Sequence, residues 1–177
     1  MAIVRLVKDA LGGCVATFGC LEYVLFQACF LFTGNKVYPV ETYSLEEMEE
    51  KVREWDSEEG KALSDQLGQL IIKFEKAIRD YPNSKTDGLE ELLDHLKKGV
   101  DIRNMLCHAF WPSPDRNGFT KPLYFKRDFE YFDKPVNLAF LKQTRQHTTE
   151  LIRLVLNMVA SNGLELPEKG KPSQDIL

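Results

Sequence analysis

The chain has 177 residues, of which 44% are hydrophobic and 28% charged, and its formal net charge is −4. This length suits one domain with a core of its own, and the acidic balance differs from that of dedicated nucleic-acid binders, which tend to be basic. The four cysteines and three histidines follow no regular spacing, so we predict no metal site and expect reduced, buried thiols in the cytoplasm.

The first predicted element is the apolar stretch from Cys14 to Phe32. Its nineteen residues approach the length of a membrane span. Glu22 lies near its middle, where a charge costs roughly 2.5–3.5 kcal/mol on insertion scales. The preceding segment is too charged for the apolar region of a signal peptide. We therefore predict no membrane span but a central bundle helix, or one shared with a dimer partner, that ends at Gly34. Glu22 then needs a partner or a wet interface.

Two further helices are predicted in the middle of the chain. Ser44 to Glu47 reads SLEE, a capping box that opens an acidic helix to about Trp55. A longer helix runs from about Lys61 to Tyr81, before Pro82, and carries one apolar stripe. That stripe consists of Leu63, Leu67, Leu70, Ile71, Phe74 and Ile78.

The next helix is predicted over residues 87–111, with Thr86 or Asp87 as its cap and Pro112 as its stop. A loop follows from Ser113 to Lys121. Two aromatic-rich runs, 123–125 and 129–132, then flank a polar turn and predict a small β-hairpin. This hairpin either caps the bundle or stacks RNA bases.

The last helix is predicted from Asn137 to Ser161, with Asn162 and Gly163 ending it. Residues 167–177 are rich in Pro, Gly and Lys and are expected to be a mobile tail. The predicted fold is therefore all-α: one domain over residues 1–166, an antiparallel bundle of about five helices, with the small β-hairpin between the last two.

One short motif in the helix over 87–111 carries the candidate chemistry. Arg103 and Asn104 are followed by His108. Asn104 and His108 share a helix face, whereas Arg103 diverges from His108 by ~140° but can reach round with its long stem. A guanidinium, an amide and an imidazole that converge on one anion suit metal-free cleavage of a phosphodiester. The alternative is that the spacing arises by chance and His108 is an ordinary surface residue.

These three residues resemble the signature of the HEPN superfamily, in which Arg and a polar residue precede a short spacer and a His. The longer string RNMLCHAFW is similar to that of uncharacterised bacterial HEPN-like proteins. The resemblance implies a helical bundle, usually dimeric, and for many members a metal-independent RNase of defence or toxin–antitoxin systems. One position departs from the pattern. Toxins paired with a minimal nucleotidyltransferase antitoxin carry, two residues after the His, a Tyr that is nucleotidylated, whereas this chain has Phe110.

The expected reaction follows from the roles that the resemblance implies for these side chains. The 2′-hydroxyl of RNA attacks the adjacent phosphorus and leaves a 2′,3′-cyclic phosphate. His108 moves the proton, Arg103 neutralises charge on the phosphorane, and Asn104 orients His108 or holds a phosphate oxygen. No cofactor is expected. The expected partners are a second copy of the chain, RNA as substrate, and an antitoxin or other regulatory protein.

Positive charge concentrates around the motif. Between Lys97 and Arg127 there are seven Lys or Arg residues against two Asp. The candidate RNA-binding residues in this segment are Lys98, Arg116, Lys121, Lys126 and Arg127. The alternative is an ordinary solvated helix end and loop.

Two other functions remain open at this stage. The motif can hold a nucleotide or a protein partner without catalysis, or it can belong to a dimeric scaffold in which Arg103 pairs with Asp101 or Glu22. Cys107, between the motif residues, is expected to pack inward.

Overall fold

The structure is a computed structural model that describes residues 2–34, 66–124 and 134–166. Within these ranges the chain forms four helices and no named strand. They are α1 (Ala2–Gly34), α2 (Leu67–Asp80), α3 (Leu89–His108) and α4 (Leu138–Ser161). The all-α class is thereby confirmed. The acidic helix predicted from Ser44, most of the predicted hairpin and the tail lie outside the described residues, so the count of five helices and the hairpin remain predictions.

Helix α1 is longer than its apolar stretch, because it begins at Ala2 and runs for 33 residues. It ends at Gly34, as predicted. Its buried side is apolar and includes Phe18, Leu21, Leu25 and Phe32. By length and composition α1 passes the test for a membrane span, and it is the one described helix to do so, but core helices of soluble proteins pass the same test.

Helix α2 packs against both α1 and α3, and the stripe residue Phe74 meets Phe32 of α1 with ring centroids 6.3 Å apart. Leu67, Leu70, Ile71, Phe74 and Ile78 are all buried, whereas Leu63 lies outside the described residues. Helices α2 and α3 run antiparallel. Gly68, at the start of α2, faces Val100 in the second half of α3, and Arg79, at the end of α2, pairs with Glu90 at the start of α3. Ion pairs join their exposed edges.

Among those ion pairs, Glu75 on α2 contacts Arg79 on the same helix and lies 3.5 Å from the Nζ of Lys97 on α3. The hydrogen bond from Arg79, assisted by the charge of Lys97, lowers the pKa of Glu75. The end of α2 is further tied to the start of α3 by Arg79 and Glu90.

Helix α3 differs from the prediction at both ends. Its N-cap is Gly88, with φ +76°, and no side chain caps the helix, so the prediction of Thr86 or Asp87 as the cap is wrong. Glycine suits this position because its left-handed backbone conformation strains other residues. The helix also ends at His108 rather than at residue 111. Ala109 is extended, and Phe110 pairs its backbone with Leu123 instead of continuing the helix.

The segment between α3 and α4 folds back on the bundle. Thr120 exchanges backbone hydrogen bonds of 2.8 Å with Val136, just before α4. A Cβ at Gly118, where φ is +80°, would lie 3.1 Å from Ile3 of α1, so this turn requires glycine for both space and conformation. Helix α4 begins and ends as predicted, with the side chain of Asn137 accepting a hydrogen bond from the backbone N–H of Phe140.

The four cysteines are free thiols, but only part of the prediction for them is correct. Cys14 is buried and donates to the carbonyl oxygen of Leu141 at 3.0 Å. Burial raises the pKa of the Cys14 thiol, which makes it an inert packing residue. Cys20 and Cys107 are exposed, so the expectation of buried thiols is wrong for these two.

Candidate functional site

The motif occupies the last turns of α3 and includes the core residues Met105 and Leu106 between Asn104 and His108. Leu89, Leu93 and Leu96 form the inward stripe of this helix, and all three are buried. Continuing the same spacing of three or four residues leads to Arg103 or Asn104 and then to Cys107. Cys107 is nevertheless exposed, whereas Met105 and Leu106 beside it are buried, so the buried face shifts around the helix axis at this end. The prediction that Cys107 packs inward is therefore wrong.

Arg103 is the centre of the site and connects two helices. Its Nε donates a hydrogen bond of 2.8 Å to Oε1 of Glu22 on α1. The two side chains are 17% and 22% exposed, so the pair is partly shielded from water. The Nη1 atom of Arg103 lies 3.3 Å from Oδ1 of Asn104 and 3.4 Å from Nε2 of His108. The structure thus brings the three predicted motif residues together, with the long arginine stem reaching round the helix as predicted.

The guanidinium of Arg103 presents two different edges. Glu22 engages Nε, at one end of the group, whereas Nη1 and Nη2 form the opposite edge. That opposite edge, on the side of His108, is the fork that arginine uses for two-pronged contact with a carboxylate or phosphate. Glu22 can therefore orient Arg103 through Nε, whereas a ligand at the fork would compete with the contacts that Nη1 makes with Asn104 and His108.

The ring of His108 is exposed, and its Nε2 faces an N–H donor of Arg103. A ring nitrogen that faces a donor suits the neutral imidazole in which that nitrogen is the acceptor and Nδ1 carries the proton. If a bound phosphate took over the Nη1 contact, the lone pair of Nε2 would be released beside a fixed positive charge. These are the requirements for taking a proton from a hydroxyl group next to an anion.

No catalytic role was predicted for Glu22, although its carboxylate belongs to the cluster around Arg103. The scaffold interpretation named it as a partner for Arg103, and the structure confirms that pairing rather than a pairing with Asp101. The sequence did indicate that Glu22 would have a charged partner. It is the one carboxylate in the apolar stretch from Cys14 to Phe32, and such a group needs a counter-charge. The two partners are 81 positions apart in the chain, so no local sequence pattern predicts their pairing.

The predicted RNA-binding cations lie in different parts of the structure rather than in one group around the motif. Lys98 lies ten residues before His108, about 15 Å along the helix axis, and its Nζ is 2.6 Å from Oδ2 of Asp94. Arg116 and Lys121 are exposed on the loop that follows α3. Lys126 and Arg127 lie outside the described residues. The basic character near the site therefore comes mainly from Arg103 and this loop.

Other candidate chemistry is sparse in the described parts of the chain. No group of three or more His, Cys, Asp or Glu residues there is placed to hold a metal ion. His95 and His147 contact each other edge to face across α3 and α4, with ring centroids 5.8 Å apart. This pair involves none of the motif residues.

Comparison of the chain with protein-family models, with curated proteins and with solved structures gives no match.

Proposed function

We propose that this protein is a metal-independent endoribonuclease of the HEPN type. The observation that carries the proposal is the placement of the Arg103 guanidinium between Glu22 and His108, with its Nη1 atom on the imidazole side. An oriented cation beside an exposed imidazole matches the two needs of phosphodiester cleavage, which are charge neutralisation and proton transfer. Asn104, which also contacts Nη1, helps to hold this geometry.

The proposed reaction uses the RNA's own nucleophile. As the 2′-oxygen bonds to phosphorus, His108 accepts the 2′-hydroxyl proton at Nε2. The bond from phosphorus to the 5′-oxygen then breaks, and that oxygen receives a proton from an imidazolium. Arg103 stabilises the negative charge on the phosphorane oxygens between these events, an electrostatic effect worth a few kcal/mol. The products end in a 2′,3′-cyclic phosphate and a 5′-hydroxyl.

A second copy of the chain would supply the second imidazole that this reaction uses. The exposed side of α1 is the proposed contact, because Val15, Tyr23 and Phe30 are 37%, 47% and 39% exposed. Val15 lies about 20° and Gly19 about 60° from Glu22 around the axis of α1. A homodimer formed through this side would therefore place two copies of the motif near its symmetry axis.

We expect light scattering to give a dimer at micromolar concentration, and Gly19→Arg to give a monomer. A Cβ at Gly19 meets nothing within 4 Å in the subunit, so arginine fits the isolated helix but not an apolar interface. Gln146→Arg, at an exposed position of α4, is the matched control and should remain dimeric. A monomeric parent protein, or a Gly19→Arg variant that stays dimeric, would remove this interface.

The cellular setting proposed for the enzyme is cytoplasmic, with α1 as a bundle helix and a role as a toxin or in phage defence. Neither cofactor nor metal enters the proposed reaction. An antitoxin or another regulatory protein would restrain the activity. Control by nucleotidylation at the position of Phe110 is not proposed, because its side chain has no hydroxyl group.

A second candidate is a non-catalytic module that binds a nucleotide or a protein partner. The cluster of Arg103, Asn104 and His108 suits it, because these three side chains can hold an anion without any proton transfer. The ion pair of Glu22 with Arg103 by itself suits only a scaffold contact. In the binding module the fork of Arg103 would hold a phosphate without any bond being broken.

Cleavage of labelled single-stranded RNA in EDTA separates the two candidates. The RNase should produce fragments with 2′,3′-cyclic phosphate ends, identified by mass, and should leave DNA of the same sequence intact. RNA with a methyl group on every 2′-oxygen is the matched substrate control and should also stay intact. Tight nucleotide binding with no cleavage of any RNA would assign the site to the binding module.

A further inference from the structure

We propose that Phe110 and Leu123 form a platform on which one unpaired RNA base stacks beside the phosphate to be cleaved. This inference rests on the proposed ribonuclease function and extends it to the form of RNA that the enzyme accepts. Both side chains face water, with Phe110 67% and Leu123 50% exposed. Phe110 lies two residues after His108, and Leu123 is brought to it from the far side of the following loop.

The backbone fixes the two side chains relative to each other. Phe110 N–H donates to the carbonyl oxygen of Leu123 at 3.0 Å, and Leu123 N–H donates to that of Phe110 at 2.9 Å. Two residues that exchange both bonds form a hydrogen-bonded antiparallel pair, whose side chains lie on the same face. The aromatic ring and its aliphatic neighbour therefore form one small apolar surface whose backbone is held in place. Single exposed apolar residues are common, but a braced pair at a candidate site is less so.

The position of this surface suits a base rather than a phosphate. Only one residue, Ala109, separates Phe110 from His108, so their Cα atoms are at most about 7 Å apart. Arg103 and His108 provide the charge and the proton acceptor for a phosphate, whereas Phe110, two residues further along the chain, provides an exposed π face. A single strand presents these two chemistries side by side, since each phosphate neighbours a base. A duplex hides the faces of its bases, so the platform would select unpaired RNA.

The exposed cations of the same loop fit this arrangement. Arg116 and Lys121 lie between Phe110 and Leu123 in the chain and are exposed. A positively charged groove with aromatic stacking sites is the usual way in which proteins bind single strands without reading their sequence. The proposed preference is therefore for single-stranded RNA, with little dependence on the identity of the stacked base.

The test compares Phe110→Leu with Phe110→Tyr and with Phe119→Leu. Binding is measured by fluorescence anisotropy with 2′-O-methyl single-stranded RNA, which cannot be cleaved, and kcat/KM with the matching unmodified RNA. Loss of the ring in Phe110→Leu should weaken binding about 5- to 150-fold, the range found for one base stacked on an aromatic residue. Phe110→Tyr keeps the ring and should retain affinity. Phe119→Leu removes another exposed ring of the same loop and should change affinity less than about twofold.

A fluorescent base analogue placed next to the scissile position gives a readout of stacking itself. Its fluorescence should be quenched by the parent protein and by Phe110→Tyr but not by Phe110→Leu. Equal binding and quenching by Phe110→Leu, with cleavage intact, would overturn the platform and leave the ribonuclease standing. A change from dimer to monomer in Phe110→Leu would instead assign the surface to the subunit contact. No binding or cleavage of RNA by the parent protein would end both proposals.

Discussion

His108→Ala should abolish RNA cleavage while leaving the fold intact. Removing a group that transfers protons typically costs a factor of about 10² to 10⁴ in rate. Stability should change little, because the ring is exposed and its contact with Arg103, at 3.4 Å, is long for a hydrogen bond. The measurements are kcat/KM on single-stranded RNA in EDTA and a thermal unfolding curve. Cleavage that persists in His108→Ala would reveal a contaminating nuclease.

Variants of Arg103 and Asn104 should show whether cleavage depends on the positive charge alone or also on the geometry of the guanidinium. Arg103→Ala should lose activity to an extent comparable with His108→Ala, because the developing phosphorane charge loses its partner. Arg103→Lys should recover little, since a point charge cannot reproduce the fork that arginine presents to phosphate. Asn104→Ala should be milder, because Asn104 contacts the guanidinium at 3.3 Å and affects its orientation rather than the chemistry. Full activity of Arg103→Lys would contradict the role given to the fork.

Glu22→Gln should lower kcat by about 10- to 100-fold with only a small loss of stability. Glutamine can still accept a hydrogen bond from Nε of Arg103, but without the charge that holds the guanidinium in place. A displacement of about 1 Å at a catalytic group can cost about 10²-fold in rate. The pair is partly exposed, so its electrostatic contribution to folding is smaller than that of a fully buried pair.

Glu75→Gln is the matched control for this prediction. It also removes one carboxylate from an interhelical ion pair, between α2 and α3, but lies outside the motif cluster. Its cleavage rate should equal that of the parent protein. If Glu22→Gln lowers the unfolding temperature but leaves kcat unchanged, the ion pair is a scaffold contact and Arg103 needs no orientation by Glu22.

Local rules predicted much of the helical framework. The buried stripe of α2 followed from the spacing of its apolar residues, and the bounds of α4 from Asn137 and the Asn162-Gly163 pair. These features depend on the period of a helix and on the hydrogen bonds of its ends, which involve residues close in sequence. The convergence of Arg103, Asn104 and His108 was predictable for the same reason, because all three lie within two turns of α3.

Features that depend on distant neighbours were not predictable in this way. The end of α3 at His108 is set by backbone pairing of Phe110 with Leu123, a residue on the far side of a loop. Cys107 is exposed although its position on α3 continues the buried stripe, because the packing of the whole bundle buries Met105 and Leu106 at this end of the helix instead.

The sequence by itself determined the helical class, the ends of α1 and α2, both bounds of α4, and the set of groups available for chemistry at the end of α3. Only the tertiary structure decided that Glu22 from α1 pairs with Arg103 and that Phe110, two residues after His108, is exposed. The physical reason is the distance along the chain over which each kind of interaction acts. Helix periodicity and capping act within a few residues, whereas the meeting of a carboxylate with a guanidinium 81 residues away requires the packing of whole helices.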